Sequence, residues 1–368
     1  MTARGVRLNT LAIAGALALG LGACGSDSDD DAAQSSSTPV PVAGEDLGAI
    51  KAYLLAHSEA LAASTASLAE QGAAYKSLAE AAEFDYAALL ESKRAEIRSA
   101  IEKMQATWRE ANPQYEEMEG VVAGVPELSE FDVIIDAGAD GSDPENAVPF
   151  DVELDGGKVL EQPGNFFFLT ETSLFGTNPK FQATGVKPDL DGDGEVAFGE
   201  AVPDAGMVFA FTRDFAAQAK ALDDAARAWK PERADALQAL VTMTPTMSEY
   251  FGQWKNSRFI AGAKADEQSF VAASRLQDIE DILSGLVLIY DNVEPAVAEA
   301  DAAQAGQTGR DLEGLRDFAT DLREQEEAGK KFDAEQADTL GAEAQQRAEA
   351  IAGQVSQAAA QLGIELEA

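Results

Sequence analysis

Four carboxylates between Glu116 and Asp136 form the stretch of this sequence whose residue types and spacing could do chemistry. Glu116 and Glu119 stand three residues apart, and Asp132 and Asp136 stand four apart. On helical segments each pair shares one face. Gly124-Val125-Pro126 lies between the pairs and reads as a link. If the link folds one segment back on the other, the four carboxylates meet. Such a cluster is unfavourable until a cation or protons neutralise it. The plain alternative is that all four face water, as acids mostly do. The pattern alone leaves both open.

A second acidic group runs from Asp189 to Glu200, DLDGDGEVAFGE. It resembles the twelve-residue calcium loop of EF-hand proteins. Asp189, Asp191 and Asp193 stand at positions one, three and five, Gly194 at the sharp turn of position six, and Glu200 at position twelve, where a bidentate ligand closes the shell. Glu195, at position seven, would contribute its backbone carbonyl. The flanks depart from the pattern. Pro188 disfavours an entering helix and Pro203 follows closely. The loop is solitary, so the expectation is a calcium site of low affinity. An unliganded Asp/Gly turn is the alternative.

The elements that must position these groups are mainly helical. Residues from Asp46 to about Ala82 place Leu54, His57, Leu61 and Leu68 on one face. His57, the sole histidine, is expected to be a half-buried packing residue. A second helix is expected over 84–111, with Pro113 kinking or ending it and Asn112 biased out of helical geometry. Between Gly138 and Ala205, Gly, Pro and Asp dominate and helical periodicity disappears. Asp151 to Leu154 and Lys158 to Glu161 flank Asp155-Gly156-Gly157 as a small hairpin. Phe166, Phe167 and Phe168 are expected to pack this insertion onto the helices. Helix resumes from about Asp204 to Trp229, and again as far as Thr242. One long segment is expected from there to about Tyr290, with Leu276, Ile279, Leu283 and Leu286 in a bundle-core pattern. A further helix covers Asp311 to Glu327. Asp333 and Gln336 form a capping box for the last one. Arg347 breaks that helix's apolar stripe, at its edge or against a buried acid.

The N-terminal segment reads as targeting. Arg4 and Arg7 precede an apolar run from Leu8 to Leu21, too short to span a bilayer comfortably. Leu21-Gly22-Ala23-Cys24 resembles a bacterial lipobox, whose cysteine becomes the lipidated first residue. Cys24 is also the chain's only cysteine, which excludes a disulfide framework or thiolate metal cage. Residues 1–23 are thus expected to be a lipoprotein signal peptide, and 24–45 a polar, flexible tether. With 65 acids against 27 Lys and Arg and a formal net charge of −38, a nucleic-acid partner is excluded, since that needs a basic face. Cations suit this charge.

Arg275 to Asp301, RLQDIEDILSGLVLIYDNVEPAVAEAD, and then Phe332 to Leu362, resemble the imelysin-like family, which includes EfeO-type periplasmic iron-uptake components. YEEMEGVVAGVPELSEFDVIIDAG resembles the segment around that family's metal motif. The resemblance covers most of 46–368 outside the insertion 138–205. It implies an all-α fold of antiparallel helical bundles, here carrying an irregular, partly β insertion, together with an extracytoplasmic, iron-related role. The family's G-x-H-x-x-E has no counterpart. By position Asp132 replaces the His and Ile135 the Glu, with Asp136 one place later. An all-oxygen site would lean toward Ca, Mg, Mn or ferric iron and away from Zn or Cu.

Two readings follow. In the first, a lipid-anchored metal-binding protein of the cell envelope contributes to iron binding or uptake. Glu116, Glu119, Asp132 and Asp136, with Tyr115, hold a hard cation, and a permease or peroxidase-type partner stands beside it. In the second, the ancestral site is lost and the bundle is an envelope scaffold stabilised by calcium. A peptidase is not expected, because no nucleophile, HExxH or histidine partner is present.

Overall fold

The computed structural model describes residues 43–367. The signal-peptide and lipid-anchor expectations, Cys24 included, and most of the tether lie outside those residues. The end of the proposed tether is already docked, because Glu45 makes a 2.6 Å ion pair with Arg233.

Helix α1 (Leu47–Glu80) is capped by Asp46, whose side chain accepts from the Ala49 N–H. Leu54, Leu61 and Leu68 are fully buried on its inner face. After a tight turn, α2 (Tyr86–Gly124) begins at the cap Asp85. It runs on through Pro113 to Gly124, and its one non-helical point is Lys93. The expected break at Pro113 is therefore corrected. An internal proline removes one hydrogen bond, but long-range anchors hold the helix on both sides of it. Asn112 donates to Asp278 at 2.9 Å, and the Tyr115 hydroxyl donates to Asp132 at 2.7 Å.

A short helix, α3 (Ser129–Asp132), leads directly into a π turn over Val133–Ala137. The insertion follows. It contains the expected hairpin, β1 (Val152–Glu153) antiparallel to β2 (Val159–Leu160), with Val152 opposite Leu160. It also contains a buried helix that the Gly- and Pro-rich composition concealed, α4 (Phe166–Leu174). The three phenylalanines open that helix. Phe166 stacks on Phe150 and on Phe215, and Phe167 meets Trp108 and Tyr115.

Helix α5 (Ala205–Ala228) packs along α1, and α1 packs along α2. Two shorter helices follow, α6 (Arg233–Met243) and α7 (Met247–Asn256), joined by one 3-10 turn at Thr244–Thr246. The expected continuous segment to Tyr290 is interrupted by an irregular loop, residues 257–274. The next element, α8 (Arg275–Glu327), is two helices joined at Asp301, and its second half contains the further helix expected over Asp311 to Glu327. It reverses at Asp301, whose φ of −153° and ψ of 99° are extended. The Asp301 side chain accepts from the Ala303 and Gln304 N–H groups and caps the second half. The two halves lie against each other, with the Tyr290 hydroxyl on the Ala305 carbonyl and Arg323 paired with Glu280. The last helix, α9 (Ala334–Gln361), starts at the Asp333–Gln336 capping box. Arg347 sits at the edge of its stripe, exposed, paired with Glu343.

Among the described residues the fold is all-α, with one two-stranded sheet. No helix there is long and apolar enough to cross a membrane. Helices α2 and α8 approach closely because both carry glycine at the crossing. A Cβ at Gly285 would strike the Glu117 carbonyl oxygen, and one at Gly120 would strike Leu286. That close crossing brings the start of α8 against the C-terminal third of α2.

Candidate metal centre

The α2 helix supplies Glu116 and Glu119 on one face and turns Glu117 elsewhere, since neighbours along a helix do not share a face. Glu117 accepts from the Tyr53 hydroxyl at 2.9 Å and lies 3.1 Å from His57. The histidine, half-buried, is thus engaged by Glu117, by Gln114 and by the Tyr53 ring. Its charged form is favoured by the hydrogen bond its ring N–H donates to Glu117, against the opposing effect of burial.

Glu116 is fully buried and Glu119 nearly so. The link over 124–126 does fold the chain back, and the π turn then delivers Asp136. Its widened i to i+5 pattern, with the Gly138 N–H on the Val133 carbonyl, buries Ile135 and presents Asp136 one place later. Asn165 fixes this turn. Its amide nitrogen donates to the carbonyls of Asp136 and Gly138, while its oxygen caps α4. Glu116, Glu119 and Asp136 each offer an oxygen within 4.8 Å of the others. Asp132 lies beside them, bound by Tyr115.

Arg275, at the first position of α8, is the residue that sequence reasoning missed. Its guanidinium is 3.2 Å from Glu116, 3.1 Å from Asp278 and 3.8 Å from Asp136. The rings of Tyr250 and Phe270 flank it at 4.4 and 4.1 Å. The available signal was its i, i+3 spacing to Asp278 at the start of a helix, which reads as an ordinary surface pair. Among the described residues, Glu116, Glu119, Asp132, Asp136 and Asp278 thus gather near the one buried guanidinium of Arg275, an excess of carboxylate over positive charge. The Glu119 side chain accepts from the Tyr250 hydroxyl at 2.8 Å. Its other oxygen, and one oxygen of Glu116, are buried without a hydrogen-bond partner.

Burial is the leading cause of the electrostatics here. It pushes Glu119 up to about 8, with Asp136 and Asp132 adding repulsion. It pushes Asp132 to about 7 against the Tyr115 hydrogen bond, and Asp136 to about 6 against the attraction of Arg275. Glu116 is held well above the usual carboxylate range by burial and by Asp278. Buried charges need a partner or a proton. The orphaned oxygens of Glu116 and Glu119 and their closeness to Asp136 fit a hard, oxygen-seeking cation.

The other acidic group is a surface loop. Asp189, Asp191 and Asp193 offer oxygens within 4.8 Å of one another. Asp189 accepts from the Gly192 and Gly194 N–H groups, and Asp191 from Asp193. Glu200 reaches back across the loop to the N–H groups of Leu190, Asp191 and Ala197. Glu195 takes part through its backbone N–H, which donates to Asp193. Gly194, at φ +95°, makes the turn.

The imelysin family model, Peptidase M75, matches residues 49–355, and the chain belongs to the imelysin family. Comparison with curated proteins gives no match.

Proposed function

We propose that this chain is a lipid-anchored protein of the cell envelope, extracytoplasmic, that binds a hard metal cation and contributes to iron binding or uptake. Glu116, Glu119 and Asp136 would hold the cation, with Asp132 and its Tyr115 partner beside them. The observation that carries the reading is that Glu116 and Glu119 each keep a buried, partnerless oxygen while standing with Asp136 in a cluster with too few positive charges. The family membership supports an iron-related role. The loop from Asp189 to Glu200 would hold calcium structurally, and Cys24 would carry the lipid. The reading is of a binding protein without peptidase activity, with a permease or peroxidase-type partner receiving the metal.

Arg275 favours a second reading. Its guanidinium already stands where a cation would neutralise Glu116, Asp136 and Asp278, so the bundle would be a scaffold whose ancestral metal site has become an internal ion-pair network. Equilibrium dialysis separates the two. The first reading expects the purified protein to retain iron or manganese at one site per chain, and Asp132→Asn/Asp136→Asn to lose it. Absence of retained metal in the unaltered protein supports the scaffold.

A further inference from the structure

The partnerless oxygens of Glu116 and Glu119 are closed to solvent. A small space of about 180 Å³ stands against the cluster, lined by Glu119, Asp136 and Arg275, with Glu249 at its exposed rim. An ion from solvent therefore reaches both oxygens only if a wall of this space moves. Every described residue lining it but one stands on a helix or a helical turn. The exception is Phe270, on the irregular loop 257–274. Its ring covers the Arg275 guanidinium at 4.1 Å. It also lines the neighbouring cavity of about 400 Å³, which gives the ring room to swing away.

The Phe270 backbone is strained. Its φ of +53° lies in the left-handed region, which is costly for a residue with a Cβ and persists only where the surroundings hold it. What holds it is Glu171, a buried acid of α4. The Glu171 side chain accepts from the N–H groups of Phe270 at 2.7 Å, Val271 at 3.0 Å and Ala272 at 2.9 Å. Bonds from backbone N–H groups to a carboxylate are stronger than those to a neutral acceptor. Arg258 ties down the same turn by donating to the Val271 carbonyl at 2.6 Å.

We infer that Phe270 is a gate on the carboxylate cluster and that Glu171 is its latch. With the latch made, the ring lies on Arg275 and closes the cluster. With the latch released, the backbone relaxes to negative φ, the ring leaves Arg275, and Glu116 and Glu119 open to a hard cation. The gate rests on the metal-binding reading for what passes through it. Such a gate sets how fast the ion enters and leaves, and not how tightly it is held, because both steps pass through the same open state.

Stopped-flow binding of manganese to the full, metal-stripped chain, with hydrogen exchange read across 269–273, tests this. Glu171→Gln replaces one accepting oxygen by a donor, so exchange at Phe270, Val271 and Ala272 should quicken. Entry and exit rates should both rise by about tenfold or more, with Kd changed by less than about threefold. Phe270→Gly removes the ring and takes a positive φ without strain, so it stays folded whatever becomes of the latch variant, and both rates should rise in it as well. Manganese bound by the variants while the wild type stays shut also supports the gate. Manganese entering the wild type and both variants at one rate overturns the gate and leaves the metal-binding reading standing. A rise in the exit rate alone overturns it too, because the loop is then part of what holds the ion. No manganese bound by the wild type or either variant overturns the metal-binding reading and the gate with it.

Discussion

Replacing Glu119 by Gln should make the metal-free protein more stable at alkaline pH. Burial holds this carboxyl near 8, far above its ordinary value of 4.5. Across that span the native state keeps a proton that the unfolded chain has released. A raised carboxyl therefore leaves stability intact below about pH 4.5 and erodes it as pH climbs to about 8. Each pH unit is worth about 1.4 kcal/mol. The full span is on the order of 5 kcal/mol, reduced by whatever protons Glu119 shares with Asp132 and Asp136. Glutamine keeps the shape, can still accept from Tyr250 and does not titrate. Urea unfolding of the metal-stripped protein at pH 5.5, 6.5, 7.5 and 8.5 measures the effect (conditions stepped by roughly one unit across the titration range). The wild type should lose several kcal/mol across the series. The variant should lose markedly less and be the more stable protein at the top of the range by about 2–4 kcal/mol. Parallel pH dependence in the two proteins would refute the reasoning, because it would mean Glu119 carries no perturbed proton.

Arg275→Met removes the guanidinium that, among the described residues, contacts the cluster, and should cost about 3–5 kcal/mol at neutral pH, with much of the loss recovered near pH 5, where the carboxyls protonate; a loss independent of pH would point to packing instead. Calcium at ten times its Kd should stabilise the unaltered chain by about 1.4 kcal/mol, and Glu200→Gln should remove that gain without altering helicity in circular dichroism. Cys24→Ala should leave the chain unlipidated and release it from membranes on fractionation, whereas a membrane-bound, fully processed variant would contradict the anchor.

Much of the scaffold was legible because it rests on local rules. Asp46, Asp204 and Asp333 announce helix starts through their side-chain oxygens, and Leu54, Leu61 and Leu68 mark a buried stripe by spacing alone. The misses share one cause, the override of local preference by distant contacts. Pro113 reads as a break, but Asn112 and Tyr115 are tied to Asp278 and Asp132. The insertion reads as irregular, yet Phe166 to Leu174 forms a helix because its aromatic face finds Trp108, Tyr115 and Phe215. At the candidate site the acids were visible as pairs, and the chain reversal brings Glu116, Glu119 and Asp136 together. The π turn that swaps Ile135 for Asp136 was not visible, because a helical register assumes regular turns. Nor was Arg275, 139 positions beyond Asp136 in the chain, since its role is set by the glycine-lined crossing of α2 and α8.

On the metal-binding reading, a cation displaces protons from the buried carboxyls around Arg275. Ligands must deprotonate to bind metal, and Glu119 and Asp132 are held near 8 and 7. The most direct test is the number of protons released when manganese or ferric iron binds to stripped protein, measured by calorimetry in buffers of different ionisation enthalpy at about pH 6.5, between the ordinary and raised values. More than one proton should be released per ion bound, and fewer in Glu119→Gln if it still binds. Metal binding with no proton release, or unchanged release in that variant, would contradict the account.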